Sequence, residues 1–364
     1  TIENRKGADR FVFYEGPPTA NGKPGIHHVI VRTYKDLILR YKTMKGYLVE
    51  RRAGWDTHGL PVEIQVEKEL GLKGKQDILA LKDSEFDSIK YFNQKCKESV
   101  FRYVDEWVSL TKRIGFWLDF DKAYVTYDNN YIESVWWFIK EVDKRGLLYK
   151  DYKVVPYCPR CGTSLSSHEL AQGYKDDVED PSVYLKFELV DEPGTFLLVW
   201  TTTPWTLPGN VALAVNPEAT YVKREVDGVK VIHAEQIPAK NIGISEDSEI
   251  LESFKGENLV GKKYQPLFET FKGEEKAYTV YSADFVSLED GTGIVHTAVM
   301  YGVEDFNLGK KLGLPMKHTV TLKGELADFT GPCAGMFVKK ADKYIIKDLE
   351  DRGLMFKATN TRHT

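Results

Sequence analysis

Phe11-Val12-Phe13-Tyr14-Glu15-Gly16-Pro17-Pro18-Thr19-Ala20-Asn21-Gly22-Lys23-Pro24-Gly25-Ile26-His27-His28 decides how the first half of this chain is read. The apolar run Phe11–Tyr14 predicts a strand and the glycine- and proline-rich run a turn. Ile30, Tyr34, Leu37, Ile38 and Tyr41 then recur at helical spacing until Gly46. Strand, glycine turn, helix is how a nucleotide-binding α/β unit opens. Glycine and proline let backbone approach a ligand, and a helix start offers free N–H groups to phosphate. His27 and His28 add ring donors at the same place. The bland alternative is an ordinary turn with one core and one exposed histidine.

Working outward, a second short strand is expected around Tyr47–Glu50, followed by the turn Gly54-Trp55-Asp56-Thr57-His58-Gly59-Leu60-Pro61. Asp56 at a strand end could hold an ammonium group, or it could cap the helix beginning after Pro61. A long helix is predicted from Ser84 to Gly115, with Cys96 on its apolar stripe, and another from Tyr131 to Arg145. Beyond Cys158-Pro159-Arg160-Cys161 the period changes to two, with Val183, Leu185, Phe187 and Leu189 alternating with polar residues. Further β-rich runs are expected at 196–200, 221–224, 230–233, 277–280 and 293–296, with helices near Val303–Leu312 and Ala341–Asp351.

Three segments of the second half carry possible chemistry. Cys158 and Cys161 have zinc-knuckle spacing but make only half of a four-ligand site, to which His168 could add a third ligand. Thr201-Thr202-Thr203-Pro204-Trp205-Thr206-Leu207-Pro208-Gly209-Asn210 packs four hydroxyls and a carboxamide around a tight turn, a lining able to position water, or simply a threonine-flanked turn. His296 ends a strand and Asp305 follows nine residues later; together they could recognise an ammonium group and a hydroxyl, although a strand-end histidine is also a common core residue.

Length and charge bound these readings. The 364 residues, 42% hydrophobic and 29% charged, suffice for two or three domains and exclude disorder, collagen-like repeats and disulfide miniproteins. There is no run of about 18 apolar residues, and the polar start does not read as a signal sequence, so a cytoplasmic protein that spans no membrane is expected. Four cysteines, two of them paired in one turn, fit a reducing compartment. Residues 1–160 carry 28 Lys+Arg against 23 Asp+Glu, or +5, and residues 161–364 carry 22 against 31, or −9, which sums to the formal −4. Any nucleic-acid partner must therefore find local basic patches.

Taken together, GPPTANG, GWDTHGLPVE, YCPRC, WTTTPWTLPGN and DGTGIVHTA resemble the N-terminal part of the isoleucyl-tRNA synthetases, class I aminoacyl-tRNA synthetases. The resemblance implies a Rossmann-type catalytic domain, of which 1–155 is the N-terminal half, a zinc-knuckle connection at 156–181, a β-rich α+β editing domain at 182–356, and a return segment at 357–364. It implies a monomer that activates isoleucine with ATP and Mg²⁺, charges tRNA(Ile), and binds Zn²⁺. Gly16, Asn21, Gly25, His27 and His28 are then the ATP-binding residues, with Gly25, His27 and His28 catalytic; Pro17, Trp55 and Asp56 bind the amino acid. Thr201, Thr202, Thr203, Thr206 and Asn210 line the editing pocket, His296 seats the terminal adenosine or the misacylated residue, and Asp305 holds the α-ammonium group of valine. Cys158 and Cys161 are the metal ligands. A missing methylene gives only the long-established discrimination of about 150-fold for isoleucine over valine in this enzyme class, so editing is required.

Two departures stand out. The family's His-Ile-Gly-His signature is here Gly25-Ile26-His27-His28, with the first histidine and the glycine exchanged. The expectation is that an imidazole has moved from position 25 to 27 with ATP use retained, conferring resistance to adenylate mimics such as mupirocin; the alternative is an inactive paralogue. The Lys-Met-Ser-Lys-Ser loop, a second Cys-x-x-Cys and an anticodon-binding domain are absent from these residues, so the stretch is expected to be part of a longer enzyme. A stand-alone deacylase, a valyl or leucyl relative and a non-catalytic RNA-binding paralogue remain the alternatives.

Overall fold

A computed structural model describes residues 2–171 and 175–363, which form two compact units dividing at Asp151/Tyr152. The chain is α/β, with the cysteine turn in the second unit.

In the first unit, α1 (Ile26–Met44) starts on the extended backbone of Gly25. Next come β1 (Arg52–Trp55), α2 (Leu60–Leu70), α3 (Lys75–Leu79), α4 (Glu85–Arg113), β2 (Asp119–Val125) and α5 (Asn129–Lys144). Strands β1 and β2 pair in parallel, Trp55 opposite Val125. On the other side of β1 the opening segment runs parallel as isolated bridges, Arg10 with Leu48 and Thr19 with Asp56. Two helical crossovers thus join three parallel segments, the arrangement that brings loops together at the carboxyl ends of the strands. Regular pairing begins at Arg52, later than the expected strand at Tyr47–Glu50, where Leu48 makes a single bridge.

The helix boundaries follow the sequence closely, with Ser84 capping α4 by accepting from the Asp87 N–H. The face of α1 does not. Tyr34 and Leu37, on its apolar stripe, are 65% and 62% exposed, while Arg32, Asp36, Leu39 and Thr43 are buried. The buried face is polar but paired. Arg32 lies over the Trp107 ring at 5.1 Å and donates to Thr111 Oγ1 at 3.1 Å, and Asp36 accepts from Arg40 at 2.6 Å. Cys96 packs beside the buried Val62 and Val100, and burial pushes its thiol up to about 11.

The second unit opens with the hairpin β3 (Tyr157–Cys158) and β4 (Thr163–Ser164) and the short α6 (Ser167–Leu170). It continues through β5 (Val178–Glu188), β6 (Thr195–Thr201), β7 (Ala212–Val215), β8 (Thr220–Val226), β9 (Val229–Ala234), α7 (Ala239–Ile242), β10 (Ile250–Lys255), β11 (Thr279–Ser282) and β12 (Ile294–Thr297). Last come α8 (Val303–Leu312), α9 (Val338–Asp351) and β13 (Met355–His363). The nine-stranded sheet runs β10-β8-β9-β6-β12-β7-β11, and β5 lies between β6 and β13. Strand β6 is the hub: its start pairs with β9, its end with β12, and β5 flanks it throughout. Val183, Leu185, Phe187 and Leu189 fill the core as their alternation predicts. The final segment, 355–363, is a full edge strand antiparallel to β5.

Candidate functional site

At the strand ends of the first unit, the backbone of Asp56 pairs with the glycine-proline turn: its N–H donates to Pro18 O at 3.1 Å and its carbonyl accepts from Ala20 N at 3.0 Å. Thr19 Oγ1 donates to its carboxylate at 3.2 Å. Gly59, not Asp56, caps α2, so the carboxylate is not spent on a helix. Trp55 is buried against Phe120, ring centroids 6.4 Å apart. Gly54 is required: a β-carbon there would stand 2.3 Å from Tyr124 Cζ, because Tyr124 reaches across β1 to donate to Glu15 O at 2.6 Å.

The exchanged signature begins α1. His28 Nδ1 accepts from Gly25 N at 2.9 Å, and the His27 and His28 ring centroids are 3.8 Å apart. Trp107 meets His28 edge-on at 4.6 Å and donates to Gly22 O at 3.0 Å, pinning the turn to the helix start. Burial, then His27 and Arg32, lower the His28 pKa, which favours a neutral ring. Gly16, Pro17 and Asn21 lie in this turn, so the sequence-predicted nucleotide and amino-acid residues form one cluster.

In the second unit, a cavity of about 330 Å³ is lined by Thr201, Thr202, Thr203, Thr206, His296 and Asp305, together with Trp200, Tyr301 and the 290–295 turn. Strand β6 and the 3₁₀ turn Pro204–Gly209 bring the threonines in, and β12 and α8 bring His296 and Asp305. Thr201, Thr203 and Thr206 hydroxyls are linked at 3.3 Å each, and Thr206 Oγ1 lies 2.9 Å from His296 Nε2. Asn210, expected in the lining, is instead 2% exposed and sits behind His296, with Nδ2 2.9 Å from Nδ1 of that ring. Its carboxamide serves the histidine because both of its ends are already engaged in the core. Burial drops the His296 pKa to about 4, so the ring is neutral. Burial raises Asp305 to about 7, and its Oδ1 is buried without a hydrogen-bond partner. Such an orphaned oxygen suits a cationic ligand that brings its own N–H groups.

Two contributors were missed. Asp342 accepts from Trp205 N at 2.8 Å and ties the threonine turn to α9; it lies on the buried stripe of Ala341, Ile345 and Leu349, and an acid on an apolar stripe is a readable signal. Tyr264, which donates to Asn210 Oδ1 at 2.7 Å, has no comparable mark in the sequence. At the cysteine turn, Cys161 N donates to Cys158 Sγ at 3.3 Å, and burial raises the Cys161 thiol. Two thiols on one turn suit half of a zinc site. Among the described residues no group of three or more His, Cys, Asp or Glu could hold a metal, and the side chain of His168 lies outside the described residues.

The chain belongs to the class I tRNA synthetases (I, L, M and V), whose family model matches residues 1–360. Within that class it is 50% identical over 370 residues to isoleucine–tRNA ligase of Thermus thermophilus, covering 100% of this chain and 34% of that protein. It is 48% identical to the isoleucine–tRNA ligase of Clostridium novyi, with the same shares covered. The chain thus spans about a third of the length of these curated relatives. A solved leucyl-tRNA synthetase editing domain from P. knowlesi covers 50% of this chain and 97% of that one, at 14% identity and a TM-score of 0.37. No helix among the described residues is long and apolar enough to cross a membrane.

Proposed function

We propose that this chain is the N-terminal part of an isoleucine–tRNA ligase, which uses ATP with Mg²⁺ to form isoleucyl-adenylate and pyrophosphate, charges tRNA(Ile), and hydrolyses Val-tRNA(Ile). In this reading the first unit is the leading half of a Rossmann-type catalytic domain and the second carries the half zinc site and the editing domain. The observation that carries the editing assignment is the unpartnered Asp305 Oδ1 in a pocket of threonine hydroxyls. An aminoacyl ester brings the α-ammonium group that this oxygen lacks. Hydroxyls of Thr201, Thr202 and Thr203 hold a water against the ester carbonyl; the carbonyl carbon–oxygen bond breaks, releasing valine and the terminal ribose hydroxyl.

In the first unit Asp56 binds the amino group of isoleucine beside Pro17 and Trp55, and Asn21, Gly16, Gly25, His27 and His28 form the ATP site. The exchanged signature keeps two imidazoles at the helix start, which supports retained ATP use. It also changes the surface that an adenylate mimic would meet, which is the basis for reduced mupirocin binding.

The test is hydrolysis of Val-tRNA(Ile) and Ile-tRNA(Ile) by this chain, with amino-acid-dependent ATP–pyrophosphate exchange by the full-length enzyme. Selective loss of Val-tRNA(Ile) and isoleucine-dependent exchange are expected. Exchange with leucine or valine in place of isoleucine would overturn the assignment.

A further inference from the structure

Every polar hydrogen around His296 can be placed from its neighbours. Asn210 Nδ2 lies 3.0 Å from Ala212 O, an obligate acceptor, so this end of the carboxamide is the amino group. Its second hydrogen points at His296 Nδ1, 2.9 Å away, which must then be the acceptor. Asn210 Oδ1, at the other end, accepts from Tyr264 OH at 2.7 Å. With Nδ1 accepting, a neutral His296 carries its proton on Nε2 and donates it to Thr206 Oγ1 at 2.9 Å. Thr206 Oγ1 donates to Thr203 O at 2.8 Å, so Thr203 Oγ1, 3.3 Å away, is the donor to Thr206. Thr201 Oγ1 accepts from Thr203 N at 3.1 Å and is left to donate to Thr203 Oγ1. Donation therefore runs in one direction on each side of Thr206, and nothing in it lets His296 take a proton from water.

Tyr264 is 1% exposed, its ring edge-on to Phe187 at 5.4 Å, so the hydroxyl has no solvent alternative. We propose that Tyr264 is a positioning residue of the hydrolytic pocket: together with Ala212 O it holds the Asn210 carboxamide that locks His296 in the Nε2–H tautomer, which fixes the lone pairs that the threonine hydroxyls present to the attacking water. This rests on the hydrolytic reading of the pocket. His296 then acts as a fixed donor, not as a general base.

The test combines ring ¹⁵N spectra of histidine-labelled protein with hydrolysis of Val-tRNA(Ile). The wild-type His296 is expected as a single Nε2–H tautomer. Tyr264→Phe removes one of the two groups that orient the carboxamide and leaves Ala212 O as the other, so a minor Nδ1–H population beside the Nε2–H form and a fall in kcat of up to about tenfold, with KM unchanged, are expected. Asn210→Asp offers only acceptors to Nδ1 and is expected to move the proton there, with at least as large a loss. A wild-type Nδ1–H tautomer overturns the proposal without any variant having to fold. So does an unchanged tautomer with unchanged kcat in Tyr264→Phe. If the wild type does not hydrolyse Val-tRNA(Ile) at all, the functional reading fails, while the ring spectra still decide whether Tyr264 locks the tautomer.

Discussion

The ring of His27 fills the space that a side chain on Gly25 would need: His27 Cε1 lies 2.9 Å, and Nδ1 3.1 Å, from where a β-carbon on Gly25 would stand. The two positions are sterically coupled, so a histidine at 25 makes the exposed ring at 27 swing aside. Gly25→His alone is expected to displace the His27 ring from the helix start at a cost within about 0.5 kcal/mol, because the atoms it meets are the far end of an exposed, flexible side chain. Gly25→His with His27→Gly removes the contact but places a glycine in the first turn of α1, at about 1 kcal/mol, so the coupling shows as non-additivity against His27→Gly alone. Thermal unfolding of both single variants and the double variant checks the coupling, and effects that simply add remove it. In the full-length enzyme the same pair, assayed by ATP–pyrophosphate exchange with mupirocin titration, is expected to regain inhibitor sensitivity.

Gly54→Ala is expected to destabilise the first unit by about 1–3 kcal/mol, because the new methyl would meet Tyr124 Cζ at 2.3 Å and Tyr124 cannot yield without losing its bond to Glu15 O. Tyr124→Phe should cost about 1 kcal/mol. Urea unfolding measures both, and the double variant should cost less than the sum, since phenylalanine has no hydroxyl to hold it in place.

Asp305 makes both stability and binding depend on pH. Its folded pKa of about 7 lies above the ordinary aspartate value of about 4, so ionising it costs the fold. Stability from this group is therefore highest below about pH 4 and falls as pH rises to about 7. Asp305→Asn should remove that slope. Binding has the opposite sign, because an ammonium group needs the anion: affinity for a non-hydrolysable valyl-adenosine analogue should fall about tenfold per unit below pH 7 in the wild type and stay flat in Asp305→Asn.

Thr206 and Thr202 separate structure from chemistry. Thr206 bridges His296 and Thr203, so Thr206→Val should cost about 1–3 kcal/mol and lower hydrolysis. Thr202 lines the cavity without a protein hydrogen bond among those described, so Thr202→Val should leave stability within about 0.5 kcal/mol while slowing Val-tRNA(Ile) hydrolysis. Equal effects on stability would contradict the assignment.

What the sequence reveals of this fold is what short-range periodicity encodes. The alternation Val183–Leu189 marked a buried strand, and the helix Val303–Leu312 has the limits its pattern suggested. The buried side of α1 was hidden because Arg32 and Asp36 are held there by partners 79 and 81 residues away, Thr111 and Trp117. The same holds in the threonine-lined pocket. Its threonines are contiguous and legible, whereas Tyr264 meets Asn210 across 54 residues and Asn210 meets His296 across 86. Motif spacing locates the lining of a site more readily than the side chains that orient it.

The pairing of β5 with β13 has a mechanical consequence. Val178 stands opposite His363, so the ingoing and outgoing ends of the sheet are register neighbours at the same edge. Pulling on those ends loads the ladder one hydrogen bond at a time, the zipper geometry, and leaves the pocket at β6 and β12 unloaded until the edge has peeled. The same adjacency means that a short linker could replace everything between the two ends, or that these two strands could graft the whole sheet into another host loop at little closure entropy.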